Sequence, residues 1–128
     1  MEHDLYEMAL AARLRAYAPY SHFLVGAALL SQSGWVFAAG NVENVSLGLT
    51  MCAERVCVGM AAAEGELRFQ TLVIVADSPK PIAPCGACRQ VLSEFCLELL
   101  IISYTLTGLK AEYELRQLLP EANQGILD

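Results

Sequence analysis

The sequence predicts an α/β fold in which helices cover a mixed sheet, within a single domain spanning residues 1–128. Helical and strand-like patterns alternate in the order α, β, β, α, β, α, β, α, which is typical of layered α/β domains. Residues 71–76 are apolar and β-branched at both alternate sets of positions, as in a strand that is buried on both faces. A chain of 128 residues is also long enough to build one hydrophobic core.

The N-terminal third predicts a helix followed by a hairpin. Apolar residues recur at helical spacing from about residue 4 to residue 17, and Pro19 ends the pattern. Two apolar runs follow, residues 24–30 and 35–39, and a polar spacer with a late glycine separates them. Such a spacer between two apolar runs is typical of a β-hairpin.

The rest of the chain predicts three more helices and two more strands from the same signals. A loop with two prolines, residues 77–82, leads from the central strand to the next helix. In chain order the predicted elements are helix 52–63, strand 71–76, helix 86–95, strand 99–104 and helix 112–119.

The hydropathy of the chain favours an oligomer. Hydrophobic residues make up 55% of the sequence and the mean hydropathy is +0.42, which is high for a small soluble monomer. The longest uncharged stretch, residues 16–42, contains a proline, glycines and polar residues, so it does not predict a membrane-spanning helix. We therefore expect apolar surface to be covered by other subunits and not by a membrane.

The charge and the cysteine content indicate which class of ligand and which cellular compartment suit the chain. The chain has 8 Lys and Arg against 14 Asp and Glu, a net charge of -6, and such a surface repels phosphate backbones. We therefore expect no nucleic-acid partner. Residues 1–4 lack the basic region of a signal peptide. Five cysteines, an odd number, suit a reducing cytoplasm better than a disulfide framework.

Three cysteines are spaced as ligands of one metal ion. Cys85 and Cys88 form a C-x-x-C pair at the start of a predicted helix, and Pro84 precedes them. A helix N-terminus favours the thiolate, which is the form that binds metal. Cys52 begins another predicted helix. Three protein ligands leave Zn²⁺ one open position for water, as in catalytic zinc sites.

Glu54 follows Cys52 by two residues and is predicted to lie beside the metal. A carboxylate there can move protons to and from reacting groups. Each motif alone has a simpler interpretation: a lone C-x-x-C is more often a redox pair or half of a structural zinc site. The order C-x-E and then P-C-x-x-C, with both motifs opening helices, is the signature of zinc nucleoside and nucleobase deaminases.

The chain resembles the small cytidine deaminases of the all-cysteine, homotetrameric kind, over roughly residues 15–120. The resemblance implies a three-layer α-β-α domain with a mixed five-stranded sheet, one Zn²⁺ per subunit and a site at a subunit boundary. The fifth strand would span residues 105–113. Four ordered blocks carry the resemblance: Tyr-Ser-His-Phe-Leu-Val-Gly-Ala-Ala at 20–28, Gly-Asn-Val-Glu-Asn at 40–44, Thr-Met-Cys-Ala-Glu-Arg at 50–55 and Pro-Cys-Gly-Ala-Cys-Arg-Gln-Val-Leu at 84–92.

The reaction implied by the resemblance is hydrolytic deamination of cytidine and deoxycytidine to uridine and deoxyuridine, as in pyrimidine salvage. Cys52, Cys85 and Cys88 would hold the zinc. Glu54 would carry the proton of the attacking water to ring N3 and a second proton to the departing amine.

Other residues are expected to bind the nucleoside. Asn41 and Glu43 lie two apart on extended backbone, so their side chains can share one sugar hydroxyl. By resemblance they contact the ribose near its 3′-hydroxyl, although a turn-former and a solvated acid would look the same. Phe23 resembles the aromatic wall of the family's pocket, or is ordinary core. The backbone N–H of Ala53 would hold the base carbonyl.

Two arginines follow the ligand residues. Arg55 and Arg89 can donate hydrogen bonds to thiolate sulfur and offset the net charge of -1 that three thiolates and Zn²⁺ carry. Surface ion pairing is the alternative for both. Cys57 and Cys96 fall inside helical patterns and are expected to be core thiols.

The chain departs from the family at two positions, Leu47 and Asn123, where family members usually carry aromatic residues that help close the pocket. One hypothesis is a roomier pocket that also admits N4-substituted cytidines. Two alternatives stay open: a deaminase of a cytosine nucleoside antibiotic of the blasticidin S type, and a non-catalytic zinc-stabilised oligomer. The segment before Cys52 does not resemble the antibiotic deaminases, and Glu54 has no purpose in a structural site.

Overall fold

The computed structural model describes residues 1–122, which form five strands, four α-helices and a short 3₁₀ turn. The order of helices and strands agrees with the predicted order, with the addition of the fifth strand that the resemblance implies. Along the chain these elements are α1 (Glu2–Arg13), β1 (Val25–Ser31), β2 (Val36–Gly40), the 3₁₀ turn Leu47–Leu49, α2 (Ala53–Ala63), β3 (Phe69–Ala76), α3 (Gly86–Ser93), β4 (Leu100–Thr105), β5 (Lys110–Glu114) and α4 (Leu115–Leu118).

The five strands form one mixed sheet in the order β2-β1-β3-β4-β5, which confirms the predicted fold class. Strands β3 and β4 are parallel, and all other neighbours are antiparallel. Parallel neighbours need a crossover connection, and α3 lies in the connection between β3 and β4. A loop, residues 77–85, leads from the end of the central strand β3 to the N-terminus of α3.

Helices cover both faces of the sheet because its central strands are apolar on both faces. On β3, Val73 and Val75 pack with Leu5 and Ala9 of α1, whereas Leu72 and Ile74 pack in a second cluster with residues of α2, α3 and α4. This arrangement confirms the predicted three layers. Among the described residues, no helix is both long and apolar enough to cross a membrane.

The predicted boundaries are wrong at two places. Helix α1 ends at Arg13, four residues early, because Tyr17 is extended and pairs with Val42. Near the C-terminus the predicted helix 112–119 is only Leu115–Leu118, since the residues before it belong to β5.

The fifth strand implied by the resemblance is also shorter than expected and begins at Lys110. A turn precedes it, in which the Thr105 N–H donates to the carbonyl of Leu109 at 2.9 Å. Gly108 allows this turn because its φ of 93° is in the left-handed region that favours glycine.

Gly26 marks the closest approach between β1 and α1, and we expect the variant Gly26→Ala to be strongly destabilised. A Cβ at this position would lie 2.0 Å from the carbonyl oxygen of Ala9 and 2.7 Å from the backbone nitrogen of Arg13. Backbone atoms cannot rotate away, so overpacking should lower the free energy of unfolding by about 3 kcal/mol. Urea denaturation followed by circular dichroism measures the loss.

Gly48→Ala is the matched control, because a Cβ at Gly48 meets no atom within 4 Å and its φ is not positive. We expect its stability to stay within about 0.5 kcal/mol of the parent chain. Equal stability of the two variants would contradict the close packing of α1 on β1.

Candidate active site

The N-termini of α2 and α3 bring the three predicted ligand cysteines together. Cys52 and Cys85 are the residues that immediately precede α2 and α3, and Cys88 lies in the first turn of α3. The Cys52 and Cys85 Sγ atoms are 3.7 Å apart, and those of Cys85 and Cys88 are 3.3 Å apart. The backbone N–H of Cys88 donates to Cys85 Sγ at 3.4 Å, so the helix end directly stabilises negative charge on that sulfur.

The cluster fits a zinc ion. All three Sγ atoms lie within 4.8 Å of one another. Zn–S bonds of about 2.3 Å in tetrahedral geometry place sulfur ligands roughly 3.8 Å apart, close to the observed separations. No fourth His, Cys, Asp or Glu of residues 1–122 joins the group, so the protein supplies three ligands from the described part of the chain.

The thiols of Cys52 and Cys88 lie close enough together to change each other's pKa. A hydrogen bond from Cys88 lowers the pKa of Cys52 to about 6, and the same contact raises the pKa of Cys88. Zinc binds thiolates, so zinc binding would release the protons of these thiols.

Glu54 is buried in the first turn of α2, beside the thiol cluster. Glu54 is only 4% exposed, and this burial raises the pKa of its carboxyl group to about 7. The negative charge of Cys52 raises this pKa further, whereas Arg55 lowers it. A carboxyl group that titrates near neutral pH can both accept and donate a proton under physiological conditions.

A cavity of about 220 Å³ opens beside Glu54 and the cysteines. All four predicted nucleoside-binding residues line this cavity: Phe23, Asn41, Glu43 and Ala53. Its full lining is Ser21, Phe23, Val25, Asn41, Glu43, Thr50, Cys52, Ala53, Glu54, Ile82, Ala83 and Cys85. A larger groove of about 540 Å³, between Arg68 and Arg116, contains none of the predicted site residues.

Asn41 and Glu43 have contacts that sequence reasoning missed. The Asn41 Oδ1 accepts from the backbone N–H of Val25 at 2.9 Å, and its Nδ2 donates to the carbonyl of Phe23 at 3.0 Å. Glu43 accepts three hydrogen bonds from Tyr20 and Ser21. Both side chains therefore hold the segment that carries Phe23 as well as facing the cavity.

The two arginines donate to backbone carbonyls, and each binds at least one carbonyl within two residues of a ligand cysteine. Arg55 Nη2 donates to the carbonyl of Thr50 at 2.6 Å, and its Nε is buried without a hydrogen-bond partner among residues 1–122. Arg89 donates to the carbonyls of Pro84 and Leu118, at 2.7 and 3.1 Å. The predicted hydrogen bonds to thiolate sulfur stay predictions.

The other predicted positions that the structure describes, Cys57, Cys96 and Leu47, lie outside the cavity lining. Cys57 is fully buried, and burial raises its pKa to about 12, which confirms a core thiol; Cys96 packs against the same core. Leu47 is 72% exposed in the 3₁₀ turn and does not line the cavity. Asn123 lies outside the described residues.

Ser21 lines the cavity although sequence reasoning assigned it no role; its place in the block 20–28 was the only signal.

Comparisons with known proteins agree with this site. Residues 1–104 match the family described as the cytidine and deoxycytidylate deaminase zinc-binding region. A cytidine deaminase from Halalkalibacterium halodurans is 44% identical over 119 residues, which are 92% of this chain and 90% of that protein. A blasticidin-S deaminase from Bacillus cereus is more distant, with 26% identity over 91% of this chain and 88% of its own length.

Solved structures show the same relationship. The cytidine deaminase from Burkholderia pseudomallei has a TM-score of 0.93 and 44% identity, with 96% of this chain and 99% of that chain covered. The cytidine deaminase from Mycobacterium tuberculosis has a TM-score of 0.81 and 42% identity, with coverage of 94% and 95%. The resemblance found in the four sequence blocks thus extends over the whole fold. The chain belongs to the zinc-binding cytidine and deoxycytidylate deaminase family.

Proposed function

We propose that this protein is a zinc-dependent cytidine deaminase that hydrolyses cytidine and deoxycytidine to uridine and deoxyuridine. One observation carries the proposal: a buried carboxyl group, Glu54, faces the same cavity as a three-thiol zinc site. A structural zinc site gains nothing from a proton-transfer group, so this arrangement favours an enzyme over a non-catalytic oligomer. The greater similarity to cytidine deaminases than to a blasticidin-S deaminase favours cytidine over the antibiotic.

Glu54 is the proposed catalytic residue. When bound, zinc makes hydroxide available from water at neutral pH. The Glu54 carboxylate takes the proton released from the attacking water and delivers it to ring N3, which makes C4 more electrophilic. It then takes the proton of the hydroxyl group now on C4 and passes it to the amine, so that the C4–N bond breaks, the C4 carbonyl of the uracil base forms and ammonia departs. Burial of Glu54 raises its pKa toward neutral pH, which favours a group that both accepts and donates a proton.

The remaining cavity residues would bind the nucleoside. Ala53 is the first residue of α2, so its N–H has no acceptor within the helix and can donate to the base carbonyl. Phe23 would form one wall of the pocket. Asn41 and Glu43 would hold the sugar near its 3′-hydroxyl. The shared position of these residues in the cavity supports the assignment.

The charge of the cavity favours a nucleoside over a nucleotide. Among the described residues its lining contains no Lys or Arg, whereas it contains the carboxyl groups of Glu43 and Glu54 and two of the three thiols. A 5′-phosphate would bring negative charge toward negative charge, and like charges juxtaposed at an interface cost several kcal/mol.

The proposed assembly is a homotetramer with one Zn²⁺ per subunit. Three large apolar residues lie in the chain between the cavity-lining residues Glu43 and Thr50, and all three are exposed: Val45 at 77%, Leu47 at 72% and Leu49 at 67%. Contact with another subunit would cover them. We further propose that the enzyme acts in the cytoplasm, because its five cysteines are all free thiols that suit a reducing compartment. The family resemblance supports a role in pyrimidine salvage.

Ultraviolet absorbance of the zinc-loaded protein with a panel of substrates tests this function. We expect rapid conversion of cytidine and deoxycytidine, and kcat/KM about a hundredfold lower for deoxycytidylate because of its phosphate. The panel also includes an N4-acyl cytidine and blasticidin S. Faster conversion of the N4-acyl compound than of cytidine would support the roomier pocket that the sequence predicts, although Leu47 itself does not line the cavity. Equal or slower conversion would contradict it.

Three outcomes of this panel would change the assignment. Conversion of blasticidin S alone would replace cytidine by the antibiotic. Equal rates on deoxycytidylate and deoxycytidine would contradict the argument from cavity charge. No turnover of any compound by protein that holds zinc would favour the non-catalytic oligomer.

A further inference from the structure

The wall of the cavity that would face the sugar is organised around the hydroxyl of Ser21. Its Oγ accepts a hydrogen bond from the backbone N–H of Phe23 at 3.0 Å and also bonds to Oε2 of Glu43. A hydroxyl has one proton, and the N–H of Phe23 can only donate. The Ser21 proton therefore points at Glu43.

The Glu43 carboxylate is almost fully occupied by this segment. Its Oε1 accepts from the backbone N–H groups of Tyr20 and Ser21, at 2.9 and 3.1 Å. The Ser21 hydroxyl bond is the largest cause of a lowered pKa at Glu43, so the group is ionised at neutral pH. Each carboxylate oxygen accepts about two hydrogen bonds. One acceptor position on Oε2 is left.

Asn41 presents a complementary donor on the same wall. One N–H of its amide is used by the carbonyl of Phe23, which leaves the second N–H. A substrate hydroxyl can donate to the free position on Glu43 and accept from this N–H. A group without a proton to donate, such as an ether or a phosphate ester, can satisfy only the amide.

The backbone of residues 21–23 changes direction at His22, which allows the hydrogen bond between Phe23 and Ser21. His22, between Ser21 and Phe23, has a φ of 60° in the left-handed region, and its N–H donates to the carbonyl of Ala18 at 3.0 Å. This reversal returns the Phe23 N–H to the Ser21 hydroxyl. The hydroxyl therefore links the aromatic wall to the carboxylate.

We propose that Ser21 is a positioning residue that orients Glu43 with a single free acceptor position and so makes the enzyme select a sugar hydroxyl at that point. Ser21 acts through Glu43 and does not itself take part in the chemistry at the base. The inference rests on the proposed function, because it assumes a nucleoside in the cavity.

Ser21→Ala tested against two substrates separates this role from a general one. With cytidine we expect KM to rise about tenfold, the worth of one hydrogen bond to a charged group, while kcat changes less than about twofold. With 3′-deoxycytidine, which lacks the hydroxyl, we expect the same substitution to change KM less than about twofold. Ser21→Thr keeps a hydroxyl and should restore most of the affinity for cytidine.

Two further measurements exclude a merely structural effect. The pKa of Glu43, followed by carbon NMR of labelled protein, should rise in Ser21→Ala because its strongest hydrogen bond is lost. Zinc content and thermal midpoint should match those of Ser93→Ala, which removes a control hydroxyl that donates to the carbonyl of Gln90 in α3 at 2.7 Å.

Equal losses on cytidine and 3′-deoxycytidine would overturn the proposal, since Ser21 would then act through Phe23 or the fold. An unchanged KM for cytidine would overturn it as well. Failure of the proposed function looks different: the parent protein would then convert neither nucleoside.

Discussion

Glu54→Gln is expected to lower kcat by about 10²- to 10⁴-fold while leaving the bound zinc unchanged. The amide is nearly isosteric with the carboxyl group but cannot accept and release the proton that deamination moves, and general acid–base catalysis contributes about this factor. Steady-state kinetics with cytidine and zinc analysis of the same sample measure the two quantities. Glu64→Gln is the control, because Glu64 is an exposed carboxyl group at the end of the same helix.

The stability of the zinc-free protein provides an independent check on the same substitution. Burial raises the pKa of Glu54 from 4.5 to about 7, so the folded state holds this proton more tightly than the unfolded state. Ionisation therefore destabilises the fold: the cost is absent below pH 4.5, grows through the window up to pH 7 and is complete above it. At one pKa unit per 1.36 kcal/mol the full cost is about 3 kcal/mol.

Gln carries no such cost, so above pH 7 the zinc-free Glu54→Gln variant should be more stable than its parent, and the difference should shrink at pH 5. Urea denaturation at the two pH values measures it. Loss of zinc from the variant, or turnover within tenfold of the parent, would contradict the role proposed for Glu54.

Cys88→Ala is expected to abolish both zinc binding and turnover. Cys88 is fully buried in the first turn of α3, and its loss leaves two thiols, which hold Zn²⁺ far more weakly than three. We expect less than about 0.1 zinc per subunit by mass spectrometry after dialysis, and no measurable deamination. Because metal binding stabilises only the folded state, a chelator should lower the melting temperature of the parent but not that of Cys88→Ala.

Cys96→Ala is the matched control for this substitution. Cys96 is a partly buried thiol that lies outside the zinc cluster and packs against the core. Its removal should cost some stability but should preserve zinc, turnover and the effect of the chelator. Full zinc occupancy in Cys88→Ala would show that another group completes the site and would refute the three-cysteine assignment.

Much of the fold is visible in the sequence because its signals are local. Residues of β3 are apolar at both alternate sets of positions, which is a direct consequence of burial between two helical layers. The C-x-x-C spacing likewise determines by itself that Cys85 and Cys88 meet, since residues three apart at a helix start lie on one side. The order of the motifs was enough to indicate zinc and a proton-transfer carboxyl group.

Boundaries near the C-terminus could not be obtained in this way. Residues 112–114 read as the start of a helix but pair with β4 as a strand, because backbone hydrogen bonds from a neighbouring strand override a weak helical pattern. A long-range contact also reaches the short helix α4: Arg89 of α3 donates to the carbonyl of Leu118, 29 residues away.

The sequence by itself therefore determined the α/β class through a strong burial pattern, and the candidate zinc ligands and catalytic carboxyl group through two short motifs whose order is characteristic. Only the tertiary structure decided that Asn41 and Glu43 also hold the segment around Ser21 and Phe23. Their partners lie 16 to 23 residues away, and the pairing of β1 with β2 brings them together. Hydrogen bonds of such side chains leave no periodic trace in a sequence, because one bond constrains only two positions.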